Sequence, residues 1–166
     1  MKKGKYNISI RYGILVGIVV ILYMLAFYFY DAKVMLEPSV FWSTTFLYIV
    51  GMFFAAREER KAREFITFRE ALPVAFVTYL VANLFFYDFL YIMFNFVNTD
   101  LPELQRQVSI EAIQESGFID LVAEEIEEME KLPASFSIGQ AIFDYLRSAI
   151  FGFLLSLMIA GVTRNK

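Results

Sequence analysis

The chain has no cysteine and no histidine in its 166 residues. Without cysteine there is no disulfide, no thiol nucleophile and no thiolate metal site. Without histidine there is no imidazole base, and the usual zinc, copper and haem ligand sets are out of reach. Any catalysis would fall to carboxylates, Lys, Tyr, Ser or Thr. Charge is scarce too, at 20% of residues against 58% hydrophobic. Soluble domains hold about 25% charged and 45–50% apolar residues. Four runs carry no charge at all: Tyr12–Tyr30, Ser39–Ala56, Ala71–Tyr87 and Ser148–Thr163. The net charge of -3 gives no reason to expect nucleic acid as a partner.

Spanning the hydrocarbon core of a bilayer takes about 20 mostly apolar residues in a helix. A soluble domain of this size could not cover four such runs, so the solvent of this chain is lipid. The runs are apolar all round rather than alternating, which fits helices that satisfy their own backbone and not membrane strands. The expected spans are about 10–30, 39–57, 70–97 and 137–163. The first follows Lys2, Lys3, Lys5 and Arg11 as an export signal does. It is longer than a signal core and ends in Phe27-Tyr28-Phe29-Tyr30 instead of a small-residue cleavage site, so it reads as a retained anchor.

Pro38 suits the start of the second helix, and Pro73 falls in the first turns of the third, where a missing N–H matters little. Thr67-Phe68-Arg69-Glu70 and Ser137-Ile138-Gly139-Gln140 both fit a capping box, in which a hydroxyl and a Glu/Gln three residues on satisfy orphan donors. Ile66–Leu72 and Phe136–Ile142 also share a residue order. Two independent caps explain that echo more simply than an inverted repeat.

Lys and Arg set the orientation, because cytoplasmic flanks attract them while acids count for little. The N-terminus, the loop at about 58–69 (with Arg57, Arg60, Lys61, Arg63 and Arg69 in or beside it) and the C-terminus (Arg164, Lys166) share one side. Lys33, Arg106 and Lys131 are the opposing cations. Both termini are therefore expected in the cytoplasm. The opposite loop, about 98–136, is acidic. Leu101, Leu104 and Val108, then Val122, Ile126 and Met129, recur at helical spacing, with Gly117 and Pro133 as punctuation. Two short amphipathic helices are expected there, resting on protein because no lysine-rich face suits anionic lipid. The second stripe, Val122, Ile126 and Met129, is the candidate partner-binding surface. The run Glu124, Glu125, Glu127, Glu128 and Glu130 reads as a solvated helix face. Shared-metal motifs in bundles use Glu-x-x-His, so no metal or cofactor is expected.

Charge at membrane depth is the first place to seek function. Asp88 lies about 26 Å along the third span from Ala71, and Arg147 about 24 Å along the fourth from Thr163. Equal depth suggests an Asp88–Arg147 pair that Asp144, three residues from Arg147, can share. Asn83 completes a candidate polar cluster of Asn83, Asp88, Asp144 and Arg147. A structural ion pair fastening two helices is favoured over a ligand or proton site. No charged residue falls at mid-depth, which argues against an ion-coupled transporter. The aromatics (19 Phe, 10 Tyr and Trp42) crowd the outer ends of the first and third spans as an interfacial belt. Gly13-x-x-x-Gly17 marks a close helix approach, within the chain or between chains. Arg57–Glu64 should prolong the second helix, with pairs such as Arg60–Glu64.

Tyr12-Gly13-Ile14-Leu15-Val16-Gly17, Ile66-Thr67-Phe68-Arg69-Glu70-Ala71-Leu72 and the acidic segment before the last span resemble a family of bacterial membrane proteins. It occurs mainly in Bacteroidota and is known as domain of unknown function 4199. The resemblance implies four membrane helices in the bacterial cytoplasmic (inner) membrane, no assigned catalytic residues, and a polyprenyl-phosphate glycosyltransferase as a partner. The expected fold is an all-α, polytopic four-helix membrane bundle. The expected function is non-enzymatic, an accessory or assembly subunit acting through its acidic outer helices. The alternative is a carrier of a lipid or small amphiphile that uses the aromatic and Asp88/Arg147 region.

Overall fold

A computed structural model describes residues 7–115 and 134–164. Its long helices are α1 (Asn7–Tyr30), α3 (Pro38–Arg63), α4 (Phe68–Ile92, continued by a wider π-type turn over Met93–Val97) and α6 (Ile138–Thr163). Short α2 (Ala32–Met35) and α5 (Leu101–Glu115) lie at one end, and the described residues contain no strand. The apolar 18-residue stretches of the four long helices have mean hydropathies of 2.3, 1.5, 1.6 and 1.8 in chain order, and each helix is long enough to cross a membrane. The protein is a multi-pass membrane protein. The expected second stripe, Val122, Ile126 and Met129, lies outside the described residues.

The ends follow local chemistry. Pro38 opens α3, where a proline nitrogen sacrifices no hydrogen bond. The α4 start is capped as expected, the Glu70 carboxylate accepting the Thr67 backbone N–H at 2.9 Å. Ser137 Oγ accepts the Gln140 N–H at 3.1 Å and caps α6. The charged extension of α3 is helical to Arg63, and Glu64 then ends it in the left-handed region (φ 63°). That turn takes Glu64 out of the helix, so the expected Arg60–Glu64 pair does not form. Arg63 Nε donates to Glu59 instead, at 2.5 Å, and Arg60 reaches the Thr163 carbonyl at 3.4 Å, joining α3 to the end of α6.

Helices α3 and α4 occupy the middle of the bundle, with α1 and α6 on opposite flanks. The core is built from Val20, Met24, Met35, Met52, Tyr79, Phe86 and Phe94. Contacts are close wherever a small residue faces a large one. A methyl group built on Gly13 would meet Val81, and one on Gly17 would meet Phe85, so the Gly13-x-x-x-Gly17 face is used within the chain to seat α1 on α4. Gly152 of α6 faces the Tyr79 ring of α4 so closely that an added Cβ would lie 2.1 Å from it.

The end that carries α2 and α5 is tied by specific bonds. Leu101 and Val108 are buried and Leu104 packs beside them, so the apolar stripe of α5 rests on protein as expected. Lys33 Nζ of α2 meets the Glu111 carboxylate of α5 at 2.7 Å. That hydrogen bond holds the Lys33 ammonium above the usual lysine value. Along α5, the hydrogen bond from Arg106 holds the Glu103 carboxyl below the usual carboxylate value.

Two predictions follow from these contacts. Gly152→Ala should destabilise the bundle by about 1–3 kcal/mol through overpacking on Tyr79. Gly161→Ala, with nothing within 4 Å of its added methyl, should stay within about 0.5 kcal/mol; unfolding midpoints of the two variants in one detergent compare them. The second concerns α5. A raised Lys33 pKa gives stability that is complete below the unfolded value of about 10.4 and fades as pH rises through the folded value; a lowered Glu103 pKa gives stability present above about 4.3 and lost as pH falls. Amide protection factors across α5 should therefore hold steady through neutral pH and drop at both extremes. Lys33→Gln should remove the alkaline drop alone.

Candidate functional site

The polar residues of the spans gather along the α4–α6 seam. Tyr79 and Asn83 stand four residues apart on α4, hence on one face, and both are buried. Opposite them, Ser148, Gly152, Ser156 and Ala160 form an i, i+4 row of small residues on α6. Asn83 Nδ2 donates to Ser148 Oγ at 2.5 Å, and Ser148 Oγ donates to the Tyr145 carbonyl at 2.7 Å. The Tyr79 hydroxyl donates to the Ser148 carbonyl at 3.2 Å, and the Tyr145 hydroxyl returns across the seam to the Leu80 carbonyl at 3.3 Å. These bonds use neutral groups, which lose far less on leaving water than ions do. The Tyr48 ring of α3 packs 5.1 Å from that of Tyr79, and its buried hydroxyl has no hydrogen-bond partner among the described residues.

Of the four cluster residues expected from sequence, only Asn83 lies inside this network. Asp88 and Arg147 are exposed, Asp144 is half-buried, and no ion pair joins Asp88 to Arg147 among the described residues. Register is one reason. Ala71 packs by Ala160, Tyr79 by Gly152 and Asn83 by Ser148. Asp88 is then level with Phe143, about one turn or roughly 6 Å beyond Arg147. Helix phase is the other, because the residues that seat α4 on α6 leave Asp88 and Arg147 turned outward. Leu84 and Ile92, one turn to either side of Asp88, are also exposed, as are Leu146 and Ile150 beside Arg147.

Both charges belong to the spans. Arg147 lies nine residues into α6, roughly 14 Å along a helix of about 39 Å. A hydrocarbon layer of about 30 Å centred on that helix would enclose Arg147, and its side chain is exposed on the surface of the bundle.

Sequence reasoning missed Tyr79, Tyr145 and Ser148. The small-residue row on α6 was the available signal, with the same i, i+4 form as Gly13 and Gly17 on α1. It also missed the turn at Met93–Val97, where Asn95 Nδ2 donates to both the Tyr91 and Phe136 carbonyls at 2.9 Å. Asn95 thereby ties the entry to α6 to the end of α4, while Phe94 packs on Phe136 at 5.1 Å.

The opposite end has its own network. Glu58 accepts from both Arg11 and the Tyr12 hydroxyl, the latter at 2.6 Å, which ties α1 to α3. Among the described residues no cluster of carboxylates is placed to hold a metal ion.

A known family model matches residues 11–165, under the description protein of unknown function (DUF4199). The chain belongs to this family. No curated protein and no solved structure matches it. For this family member, the seam and the outward charges make separable predictions. A double-mutant cycle on Asn83→Ala and Ser148→Ala should give a coupling of about 0.6–1.7 kcal/mol, the range for hydrogen bonds between membrane helices. The same cycle on Asp88→Asn and Arg147→Gln, read as unfolding of the isolated chain, should give none.

Proposed function

We propose that the protein is a non-enzymatic accessory subunit that binds a membrane protein partner on the outer half of its α4–α6 face and on its acidic outer segment. One observation carries this reading. Asp88 and Arg147 are exposed on the surface of the spans and form no ion pair among the described residues, and Asp144 of the same helix meets Arg147 only through its field. A charge there is costly unless something pairs with it or draws it to the interface, and such residues in membrane helices face partners or cavities. Arg147 has a stem long enough to snorkel; Asp88 does not. A partner helix with complementary charges supplies what both lack.

The membrane in this reading is the bacterial cytoplasmic membrane, with both termini on the cytoplasmic side, since Arg11, Arg57, Arg60, Lys61 and Arg164 share that end. The acidic segment then faces outward, where α5 presents its polar side. A glycosyltransferase that acts on polyprenyl phosphates is the first partner to test. What weighs against a lipid carrier is the packing of the seam, because Tyr79 fills the space at Gly152 and Asn83 is engaged by Ser148.

Co-purification from native membranes in mild detergent is the test. The wild-type chain should bring down a stoichiometric membrane protein. Asp88→Asn with Arg147→Gln should lose it while keeping an unchanged unfolding midpoint. A chain that runs as a clean monomer with no companion, in several detergents, overturns the proposal.

A further inference from the structure

The end of the bundle away from Asp88 and Arg147 carries three adjoining clefts, of about 240, 370 and 290 Å³. Arg57 lines all three, and Arg60 and Lys61 line two each. These cations stand at i, i+3 and i+4 on α3, so they share one face. Of the nearby acids, Glu58 lines the first cleft beside Arg57 and Lys61 but accepts its hydrogen bonds from Arg11 and Tyr12, and Glu59 is paired with Arg63. Glu64 is the one acid lining the second cleft. Arg57 and Lys61 make no hydrogen bond or ion pair among the described residues, and Arg60 makes only its long contact to the Thr163 carbonyl. The third cleft has an apolar wall, formed by Phe53 and Val162, and Val162 is 72% exposed. Phe53 precedes Arg57 by one turn toward the middle of the span, so that wall descends from the cations into the hydrocarbon.

A cluster of cations at the membrane boundary, above an apolar wall leading into the bilayer, matches a ligand with an anionic phosphate head and an acyl tail. We propose that Arg57, Arg60 and Lys61 form a binding site for the headgroup of an anionic phospholipid, with an acyl chain lying along Phe53 and Val162. Basic pockets between membrane helices recognise headgroups in this way. A diffuse surface potential would treat every basic residue at this end alike. The clefts single out Arg57 and Lys61, whereas Arg69, exposed on the same side, lines none of the three. The site is remote from Asp88 and Arg147, so it stands or falls independently of the accessory-subunit reading.

The test is native mass spectrometry of the full chain in neutral detergent, titrated with phosphatidylglycerol, phosphatidylcholine or inorganic phosphate. Phosphatidylglycerol should bind about tenfold more tightly than phosphatidylcholine. Arg57→Gln and Lys61→Gln should each weaken it about fivefold. Arg57→Lys should restore most of the loss, and Arg69→Gln should leave the Kd unchanged. Unfolding midpoints in phosphatidylcholine establish that each variant is folded. Should Arg57→Gln fail to fold, Lys61→Gln decides the matter alone. Equal affinity for the two lipids, an unchanged Kd in both glutamine variants, or an equal loss in Arg69→Gln overturns the site. So does full displacement of the lipid by millimolar inorganic phosphate, which would mark a site for the free anion.

Discussion

Close approach of helix backbones is the constraint from which the rest of this structure follows. In lipid, an apolar side chain gains little by leaving hydrocarbon for another helix, so packing and interhelical hydrogen bonds must hold the bundle together. Both demand short distances, and small residues provide them. Gly13 and Gly17 let α1 settle on Val81 and Phe85, and Gly152 admits the Tyr79 ring. Once α4 and α6 are that close, Asn83 reaches Ser148 and Tyr145 reaches the Leu80 carbonyl. The hydrogen bonds depend on the packing, and the packing depends on the missing side chains.

The same geometry explains why the seam is polar yet uncharged. An ion pair in a low-dielectric seam must repay the desolvation of two charges, whereas an amide and a hydroxyl need far less. Neutral partners fill the buried positions, and the ions are left to positions turned outward. Asp88 and Arg147 are thus products of the register that makes the seam work, and no ion pair joins them to each other.

What could be read from sequence was whatever is local to one helix. Four helices long and apolar enough to cross a membrane followed from the uncharged runs. The Thr67–Glu70 cap followed from spacing along the chain, and so did the stripe of Leu101, Leu104 and Val108. What failed was relational. The supposed equal depth of Asp88 and Arg147 took Ala71 to be level with Thr163, but Ala71 packs by Ala160. An error of three residues, about 5 Å, together with the helix phase, separates the pair. Register is fixed by which small residue meets which large one, a property of two helices jointly and of neither alone. The turn at Met93–Val97 escaped for a similar reason. Within it Asn95 bonds the Phe136 carbonyl, a contact across 41 residues of chain that no local propensity announces.

The two ends of the bundle make different use of charge. At the acidic end, Lys33 is paired with Glu111, and that bond holds α5 against α2. At the basic end, pairing is selective: Arg11 and Arg63 are matched with Glu58 and Glu59, while Arg57 and Lys61 are not. Those two stand one turn apart on a single face of α3. Orientation alone requires only a surplus of cations at this end, and Arg11, Arg63, Arg69 and Arg164 already contribute to one. Orientation therefore leaves unexplained why the unmatched cations of α3 converge on shared clefts beside an apolar wall. An anionic headgroup at the bilayer surface accounts for both the surplus and its placement.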